Sequence, residues 1–427
     1  MAKTAASALA PLARRVSGEM PGGLPFGVRM WDGSELPGSP DAPRLVVKSP
    51  RALAYAVRAP GEIGLGRAWV SGELDVEGDL DDALRRAERF RGLRFGPGER
   101  LAALRAAARL GALPLRAPAP PDAEARLGGR LHSLRRDRRA VRHHYDVSNR
   151  FYELVLGPTM VYSCAYFHNP DDTLEEAQER KLDVICRKLG LQPGQRLLDV
   201  GCGWGSLVIH AAARYEAQAV GITLSEPQAE LARERARAAG VADRCEIRVQ
   251  DYREIDDGPY DRIASVGMYE HVGRARLAEY AGRMRALLAP GGLFLNHGIV
   301  RLVPRRREQP SFISRYVFPD GELHPPATVL AALADAGLEV RDLEALREHY
   351  ALTLRRWVAN LAAHRDEAIA EAGPERERVW RLYMTASALA FERGDISVCQ
   401  VLAAAPGAQP DLPLARPAHS RDEVRVG

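Results

Sequence analysis

An apolar strand followed by a glycine-rich turn, near the middle of the chain, constrains the fold more than any other stretch. Residues 196–206 have the sequence RLLDVGCGWGS, in which Gly201, Gly203 and Gly205 are each separated by one other residue. Glycine lacks a Cβ, so the backbone can bend sharply there and let a ligand lie against it. The helix predicted from Ser206 presents free N–H groups at its N-terminus. The segment therefore predicts a nucleotide-type site where a strand turns into a helix.

The spacing of these glycines narrows the kind of ligand. A dinucleotide fingerprint needs Gly-x-Gly-x-x-Gly and an acidic residue about 20 positions later, whereas this turn has Gly-x-Gly-x-Gly. A pyrophosphate ligand is therefore not the first expectation. Taken alone, the turn is equally compatible with an ordinary tight connection between a strand and a helix, so the neighbouring segments have to decide.

From residue 195 onward, apolar strand patterns alternate with helical patterns. Helical periodicity occupies the intervals, for example at Pro227–Ala239 and Arg274–Leu288. Such alternation is typical of a mainly parallel sheet with helices on both faces, so the predicted fold class is α/β. Ligands of such sheets bind beyond the carboxyl ends of the strands. The strands are predicted at Arg196–Val200, Ala217–Leu224, Cys245–Val249, Arg262–Val266, Leu293–Val300, Leu338–Leu343 and Ser397–Ala403.

The N-terminal third has a different pattern and predicts a separate domain. At 427 residues the chain exceeds the usual size of one domain. Short strands and helices between Phe26 and Leu93 predict a small α+β module, and the Pro- and Ala-rich sequence after it is typical of a semi-rigid linker. The predicted organisation is a flexible lead at 1–20, an α+β domain at 21–110, a linker at 111–134, the main domain at 135–410 and a tail at 411–427.

A basic run at residues 135–144, RRDRRAVRHH, is predicted to be helical. A solvated helix face is the plainest interpretation of such a run. The alternatives are contact with anionic lipid headgroups, which contributes about 1 kcal/mol per arginine near the surface, and contact with nucleic acid. No aromatic residues accompany the arginines as a stacking platform. The expected partner is therefore an anionic membrane surface, and binding to nucleic acid is not expected.

The cysteine content and the hydropathy of the chain indicate in which cellular compartment the protein functions. The five cysteines are odd in number and scattered without CxxC pairs, which argues against a zinc site and for a reducing cytosol. Arg14 and Arg15 interrupt the stretch where a signal peptide would need an apolar core, and no run approaches the ~18 apolar residues that span a bilayer. We therefore expect no metal and a cytoplasmic protein that touches the inner face of the membrane peripherally.

Two further strand ends have residues suited to the nucleoside part of a cofactor. Thr223, Leu224 and Gln228 follow the second strand, where a ribose would lie and where Thr223 and Gln228 would supply the hydrogen bonds. Asp251 and Tyr252 follow the third strand, where Asp251 would accept a hydrogen bond from the exocyclic amine of adenine. For Asp251 alone, a role as a loop cap is equally expected.

Six short motifs follow one another through the C-terminal two thirds of the chain. They are HYDVSN (144–149), YSCAYF (162–167), DVGCGWG (199–205), TLSEPQ (223–228), MYEHVG (268–273) and HY (349–350). Their order and spacing resemble the cyclopropane fatty acid synthase family, a group of class I S-adenosylmethionine methyltransferases. The resemblance extends from about residue 138 to residue 405. Residues 26–93 look like the lipid-binding N-terminal module of the members that act on phospholipids.

This resemblance implies a fold, a reaction and a set of ligands. The implied fold is the Rossmann-like class I methyltransferase domain, with a seven-stranded, mainly parallel sheet, preceded by a small α+β lipid-binding domain. In the family, the methyl group of S-adenosylmethionine is transferred to a cis double bond of an unsaturated acyl chain, and a bound bicarbonate takes up a proton. The implied cofactors are therefore S-adenosylmethionine and bicarbonate, and the implied partner is a phospholipid with an unsaturated acyl chain.

The resemblance also assigns residues to two sites. The bicarbonate pocket is predicted to consist of Cys164, Glu270, His297, Ile299 and Tyr350. With the nucleoside residues named above, the predicted S-adenosylmethionine site comprises Tyr162, Ser163, Asp199, Gly201, Gly203, Gly205, Thr223, Leu224, Gln228, Asp251 and Tyr252.

These residue types suit the implied chemistry. An alkene is a weak nucleophile, so placing it in line with an activated methyl group supplies much of the rate, and aromatic rings attract the resulting cation by about 0.5–2 kcal/mol each. Glu270 would accept the bicarbonate hydroxyl, His297 and Tyr350 would donate to its oxygens, and the backbones of Cys164 and Ile299 would complete the cage. Each residue singly is compatible with packing or capping, but their joint occurrence favours one site.

The sequence leaves the product and some alternatives open. Early loss of a methyl proton would give a cyclopropane, whereas a prior hydride shift would give a methylene branch that a separate reductase could saturate. Relatives that act on bilayers suggest a homodimer. Two other function classes stay open, namely a methyltransferase of a soluble small molecule and a non-catalytic lipid-binding protein with a methyltransferase fold.

Overall fold

The structure of the protein, a computed structural model, divides into two units that are each discontinuous in sequence. Unit 1 comprises residues 1–126, 308–319 and 365–389, and unit 2 comprises residues 127–307, 320–364 and 390–427. The described residues are 4–18, 24–90, 96–113, 118–133, 135–137, 139–140, 147–303, 311–409 and 412.

Unit 1 contains a small four-stranded sheet with the order β2-β1-β3-β4. Strands β1 and β3 are parallel, and the other neighbours are antiparallel. This arrangement confirms the predicted α+β character of the N-terminal region. The strands are β1 (Gly27–Arg29), β2 (Glu35–Leu36), β3 (Arg44–Val47) and β4 (Leu74–Glu77), and the N-terminal helices are Ala5–Gly18, Pro50–Arg58, Glu62–Val70, Leu80–Ala87 and Pro97–Arg109.

The first helix corrects the prediction of a flexible lead at residues 1–20. The helix Ala5–Gly18 begins where the Asp32 carboxylate accepts a hydrogen bond from Ala5 N–H (2.7 Å) and Ser34 Oγ accepts one from Ala6 N–H (2.9 Å). These bonds satisfy two of the N–H groups that a first turn leaves free, and both alanines are buried in the core of unit 1. The prediction was wrong because the cap comes from a turn 27 residues away.

Two later segments complete unit 1 and change the predicted domain boundaries. Arg67 forms two hydrogen bonds with the Glu124 carboxylate (2.7 and 2.8 Å), and Tyr316 Oη donates to the same carboxylate (3.1 Å). Trp69 Nε1 donates to the backbone oxygen of Arg378, whose guanidinium lies 4.3 Å from the indole ring centre. Residues 308–319 and 365–389, which were predicted to lie in the main domain at 135–410, therefore belong to unit 1. Residues 111–126 of the predicted linker belong to unit 1 as well.

Unit 2 is organised around a seven-stranded sheet with the order β10-β11-β9-β8-β5-β6-β7. Strand β11 is antiparallel to both of its neighbours and the other adjacent pairs are parallel. This confirms the predicted α/β class, with all seven strands at the predicted places. The strands are β5 (Arg196–Val200), β6 (Gln218–Thr223), β7 (Cys245–Val249), β8 (Tyr260–Val266), β9 (Leu288–Arg301), β10 (Glu339–Ala345) and β11 (Ile396–Ala404).

Helices cover both faces of this sheet because residues on each strand point alternately to opposite sides. On β9, Leu293 and Leu295 pack with Ile185 in one core cluster, whereas Phe294 packs with Met284 in another. The helices with residues in unit 2 are Asn149–Leu156, Leu174–Lys188, Ser206–Arg214, Glu226–Ala238, Leu277–Leu287, Pro326–Asp335, Arg347–Ala363 and the end of Arg365–Arg393, which is kinked at Gly373.

Only part of the predicted basic helix lies within the described residues. Residues 135–137 and 139–140 are helical, as predicted, whereas residues 141–146, which include the first half of the HYDVSN motif, lie outside the described residues. Arg136 forms two hydrogen bonds with the Asp320 carboxylate (2.6 and 2.8 Å), while Arg135 and Arg139 are exposed. Among the described residues, no helix combines the length and the apolar character needed to cross a bilayer.

Candidate active site

The glycine turn has the backbone geometry that its sequence predicts. Gly201, Gly203 and Gly205 have φ values of +87°, +55° and +80°, which residues other than glycine rarely adopt. The N–H groups of Gly201 and Cys202 donate to Ile222 O (3.0 and 2.9 Å), so the turn is fixed to the end of β6. The helix Ser206–Arg214 follows directly. Beyond the carboxyl ends of β5 and β6, the turn therefore has open space at Gly203, whereas a Cβ at Gly201 or Gly205 would meet Met268 or Ala232.

Two buried ionisable residues, Asp199 and Lys181, lie near this turn. Asp199, near the end of β5, is 3% exposed, and its Oδ1 atom has no hydrogen-bond partner among the described residues. Burial raises the pKa of Asp199 to about 7, and the nearby Lys181 ammonium opposes this rise. Burial lowers the pKa of Lys181 to about 8, while its Nζ donates to Ser163 Oγ (2.9 Å). Lys181, which the sequence analysis did not select, thus hydrogen-bonds the predicted cofactor residue Ser163, and its charge acts on the predicted cofactor residue Asp199.

The predicted ribose residues form one hydrogen-bonded group after β6. Thr223 Oγ1 donates to Gln228 Oε1 (2.8 Å) and accepts from Ser225 N–H (3.2 Å). Thr223 and Gln228 are buried, and Leu224 between them is partly exposed. The side chain of Ser225 also caps the helix Glu226–Ala238. The local sequence therefore holds both predicted side chains at the carboxyl end of the sheet.

Asp251 has a structural role that the sequence left open. Its Oδ1 accepts from Arg253 N–H (3.0 Å) and Nε (2.8 Å), and its Oδ2 accepts from Arg253 Nη2 (2.7 Å). Arg253 also pairs with Asp137 (2.9 Å), and its guanidinium lies 5.3 Å from the Tyr252 ring centre. Asp251 is therefore a loop cap and an ion-pair partner. A contact of Asp251 or Tyr252 with adenine stays a prediction.

Glu270 reaches the backbone of β9 at the middle of the predicted bicarbonate pocket. Its Oε1 accepts a hydrogen bond from Ile299 N–H (2.7 Å), and the neighbouring Tyr269 hydroxyl donates to Ile299 O. The other oxygen, Oε2, is buried, and no residue that the structure describes hydrogen-bonds to it. Burial raises the pKa of Glu270 to about 7. The absence of a side chain at Gly298 leaves room for Tyr269 and Glu270 to approach β9, because a Cβ at this position would lie 1.9 Å from Tyr269 Cε1.

His297 lies two residues before Ile299 on the same strand, so both side chains point to the same face of β9. The ring is 2% exposed, and burial lowers the pKa of His297 far below its ordinary value, so the imidazole is neutral. Its Nδ1 lies 3.2 Å from Gln400 Nε2 on the paired strand β11. Its Nε2 is buried and has no hydrogen-bond partner in the described part of the chain.

Tyr350 and Cys164 lie near the start of the helix Arg347–Ala363. Cys164 Sγ is fully buried, 3.8 Å from Leu346 O, and burial raises the pKa of this thiol. Leu346 N–H donates to Val398 O on β11 (2.8 Å), and Val398 is the register partner of Ile299. The structure thus brings the elements that carry all five predicted pocket residues next to one another.

A row of aromatic rings connects the two predicted sites. Tyr162 packs on Trp357, with ring centres 5.2 Å apart, and Trp357 packs edge-on against Tyr350 at 6.1 Å. Tyr350 in turn packs on Phe391 at 4.7 Å. Tyr162 is a predicted cofactor residue and Tyr350 a predicted bicarbonate residue. Cofactor and bicarbonate positions would therefore share one aromatic wall.

Several residues of this region were missed by the sequence analysis. Gln400, Lys188 and Glu344 continue the hydrogen bonding of His297, and Gly298 provides space for Tyr269. One signal was available in the sequence. The chain has lysine only at positions 3, 48, 181 and 188, and the last two lie seven residues apart on the helix Leu174–Lys188, which places them on one face.

Comparisons with known proteins agree with this geometry. A family model described as mycolic acid cyclopropane synthetase matches residues 132–401. A probable fatty acid methyltransferase of Pseudomonas putida is 41% identical over 401 residues, which cover 92% of this chain and 95% of that protein. This chain belongs to the cyclopropane synthetase family. It is therefore an S-adenosylmethionine-dependent methyltransferase, as the sequence motifs predicted.

Two further comparisons place this cyclopropane synthetase family member among characterised relatives. The cyclopropane-fatty-acyl-phospholipid synthase of Escherichia coli (strain K12) is 38% identical over 279 residues, which cover 64% of this chain and 71% of that protein. The solved structure of mycolic acid cyclopropane synthase CmaA1 complexed with SAH and CTAB has a TM-score of 0.60 and 36% identity, covering 62% of this chain and 98% of that chain. The class I methyltransferase fold of unit 2 is thereby confirmed.

Proposed function

We propose that this family member transfers the methyl group of S-adenosylmethionine to the cis double bond of an unsaturated acyl chain in a phospholipid, with bicarbonate as the proton acceptor. The P. putida relative is named for fatty acids and the E. coli relative for fatty-acyl phospholipids. These names supply the substrate class. The buried polar atoms of Glu270 and His297 support the bicarbonate.

The residues present fit an S-adenosylmethionine molecule. Three alternating positive-φ glycines form the turn at the carboxyl edge of the sheet, with open space at Gly203, and Asp199 Oδ1 is a buried acceptor without a partner among the described residues. Ser163 is held in place by Lys181, and Thr223 by Gln228. When bound, the cofactor supplies an activated methyl group on a sulfonium. The chain would orient it through Tyr162, Ser163, the glycine turn and the Thr223–Gln228 pair.

One observation carries the bicarbonate assignment. Glu270 Oε2 and His297 Nε2 are both buried, and neither has a partner within the described residues. A buried polar atom without a hydrogen bond costs about 1–3 kcal/mol, so a ligand that hydrogen-bonds to these atoms is favoured. Bicarbonate has a hydroxyl that can donate to a carboxylate and oxygens that can accept from an imidazole N–H. It would take up the proton that the methylated acyl chain loses.

The protein contributes position and exclusion of water. Tyr162, Trp357, Tyr350 and Phe391 form a dry aromatic wall, whose faces can stabilise a cationic carbon of the acyl chain. Glu270 would hold the bicarbonate hydroxyl while its Oε1 stays bonded to Ile299 N–H. The buried Cys164 thiol, whose pKa is raised, is unsuited to act as a thiolate nucleophile. Its backbone would complete the cage.

A labelling experiment tests the substrate class. The purified protein is incubated with methyl-labelled S-adenosylmethionine and vesicles of oleoyl phosphatidylglycerol and phosphatidylethanolamine, and the extracted lipids are analysed by mass spectrometry. We expect labelled acyl chains that have gained one CH₂ unit. Transfer of the label to a water-soluble molecule other than the cofactor would instead support a small-molecule methyltransferase, and no transfer at all would support a lipid-binding role. The ¹³C spectrum of the product separates a cyclopropane carbon from a methylene branch, and only the branch would need a reductase.

Two variants and a buffer change test the bicarbonate. Glu270→Gln should lower turnover by about 10²-fold, the scale of a lost proton-transfer arrangement. Glu230→Gln makes the same change at an exposed position of the helix Glu226–Ala238 and should have no effect. Removal of dissolved CO₂ should slow the wild type, and added sodium bicarbonate should restore it. Full activity of Glu270→Gln, or indifference to bicarbonate, would contradict the assignment.

Membrane contact and self-association belong to the same proposal. Arg136 is neutralised by Asp320, so among the described residues of the basic run Arg135 and Arg139 are the exposed cations for anionic headgroups. Flotation with vesicles of increasing phosphatidylglycerol content tests whether the cytoplasmic protein binds the inner membrane face. Light scattering of the purified protein tests the expected homodimer.

A further inference from the structure

A buried hydrogen-bond network extends from His297 away from the candidate active site. Its members are His297, Gln400, Lys188, Glu344 and Tyr166, and we call it the Gln400 network. Gln400 Nε2 lies 3.2 Å from His297 Nδ1, and Gln400 Oε1 lies 2.6 Å from Lys188 Nζ. Lys188 Nζ also pairs with Glu344 Oε2, and Tyr166 Oη donates to Glu344 Oε1 (3.1 Å). Gln400 is 1% exposed.

The order of donors and acceptors in this network fixes the protonation of His297. A lysine ammonium has three donors and no acceptor, so the amide atom of Gln400 that faces Lys188 has to be the oxygen. The amide nitrogen then faces His297 and donates to Nδ1. Because Nδ1 accepts this bond, the single proton of the neutral imidazole lies on Nε2. The ring therefore presents an N–H donor on its unpartnered side.

The far end of the network holds this order in place. Glu344 compensates the charge of Lys188, whose side chain is 9% exposed, and it also accepts from the Tyr166 hydroxyl. Tyr166 is stacked on His349 with ring centres 4.8 Å apart. A Gln400 amide turned by 180° would place its NH₂ group against the Lys188 ammonium, with no acceptor between the two donors. The network therefore excludes the other orientation of Gln400.

We propose that Gln400, Lys188 and Glu344 are positioning residues that hold His297 as the Nε2–H tautomer, so that its ring donates to an oxyanion in the pocket. This inference rests on the proposed function for the identity of the oxyanion, which is bicarbonate. The tautomer itself follows from the chain's own contacts and can be measured without substrate. A purely structural role of these residues would leave the tautomer unchanged in their variants.

Two pairs of variants separate positioning from folding. Gln400→Glu keeps the shape but offers only acceptors, so Nδ1 has to carry a proton; Gln218→Glu makes the same change at an exposed residue of β6. Lys188→Met removes the ammonium and frees the Gln400 amide to turn. Lys188→Arg retains a donor-only cation and should preserve the wild-type tautomer.

Nitrogen NMR of protein labelled with ¹⁵N-histidine provides the first measurement, with His297 assigned from the spectrum of His297→Asn. The shifts and proton couplings of the two ring nitrogens identify the tautomer directly. We expect Nε2–H in the wild type, Gln218→Glu and Lys188→Arg, protonated Nδ1 in Gln400→Glu, and a mixture in Lys188→Met. An Nδ1–H tautomer in the wild type, or an unchanged spectrum in both Gln400→Glu and Lys188→Met, would overturn the proposal.

Kinetics provide the second measurement. Lys188→Met should raise the bicarbonate concentration needed for half-maximal turnover by roughly 10-fold, the scale of a lost hydrogen bond to a charged group, with the KM for S-adenosylmethionine unchanged. Equal losses for both ligands would show general damage and contradict positioning. If the tautomers change as expected but bicarbonate has no effect on any variant, the proposed function fails while the Gln400 network stands.

Discussion

Gly298 lies where Glu270 and Tyr269 meet β9, and its replacement by alanine should reduce both stability and activity. A Cβ on its backbone would lie 1.9 Å from Tyr269 Cε1, 2.4 Å from Cδ1 and 3.1 Å from Glu270 Oε1. The Tyr269 ring is 1% exposed, and its hydroxyl is bonded to Ile299 O. The ring has to move, and it breaks that bond when it does.

The size of the effect follows from two contributions. Forcing an extra methyl group into a packed core costs about 1–3 kcal/mol, and the lost tyrosine hydrogen bond costs about 1 kcal/mol more. Gly298→Ala should therefore lose about 2–4 kcal/mol of unfolding free energy, which lowers the Tm by roughly 5–10 °C for a domain of this size. Methyl transfer should fall as well, because Glu270 is displaced from Ile299 N–H.

Calorimetry of matched variants provides the assay. Gly282→Ala adds the same methyl group on the exposed side of the helix Leu277–Leu287, where nothing lies within 4 Å, and should be neutral or stabilising by up to about 1 kcal/mol. Combining Gly298→Ala with Tyr269→Leu removes the ring that the new methyl meets, so the double variant should lose less than the sum of the single losses. A Tm for Gly298→Ala equal to that of Gly282→Ala would refute the steric explanation.

Three other predictions concern ionisable groups. Burial raises the pKa of Asp199 from 3.8 to about 7. The contribution of this group to the free energy of unfolding is therefore full below pH 4 and is lost as the pH rises through 7. Asp199→Asn should flatten this decline when the Tm is measured against pH, and an unchanged slope would contradict the prediction. Asp251→Asn removes one of the two carboxylates that pair with Arg253, since Asp137 remains, and should cost about 1.5–3 kcal/mol in urea unfolding. Asp243→Asn at an exposed position should cost nothing measurable. Asp32→Ala removes the cap of the helix Ala5–Gly18 and should speed tryptic cleavage within this helix. Equal cleavage rates of wild type and variant would contradict this prediction.

The sequence was most informative where structure depends on local pattern. The turn after β5 was predictable because three glycines, each separated by one residue, are typical of a tight bend that faces a ligand. The positive φ values of all three glycines agree with this prediction. The seven strands were predictable because buried parallel strands are short apolar runs between helical periods. Strand β9 extends five residues further toward its N-terminus than predicted, Leu288 instead of Leu293, because Tyr260 on β8 pairs with Leu288 across a register shift.

What the sequence could not show depends on pairs that are distant along the chain. Lys188 meets Gln400 and Glu344 across 212 and 156 positions, and no local pattern indicates which glutamine or glutamate a buried lysine will reach. The cap of the first helix and the later segments of unit 1 were missed for the same reason. Within the candidate site, the motifs predicted Glu270 and His297, but only the three-dimensional contacts identify Gln400 as the partner of His297.

The two unpartnered atoms of the candidate site have a shared energetic meaning. Glu270 Oε2 and His297 Nε2 together cost about 2–6 kcal/mol in the ligand-free protein if each costs about 1–3 kcal/mol. Each side chain nevertheless has its other polar atom bonded, to Ile299 N–H and to Gln400. Protein contacts therefore hold each group in one orientation and leave one acceptor and one donor unused. Such a half-satisfied arrangement is unfavourable for stability alone. If the bicarbonate proposed above binds there, its hydroxyl and oxygens would complete both groups, and the hydrogen bonds lost on folding would be regained on binding.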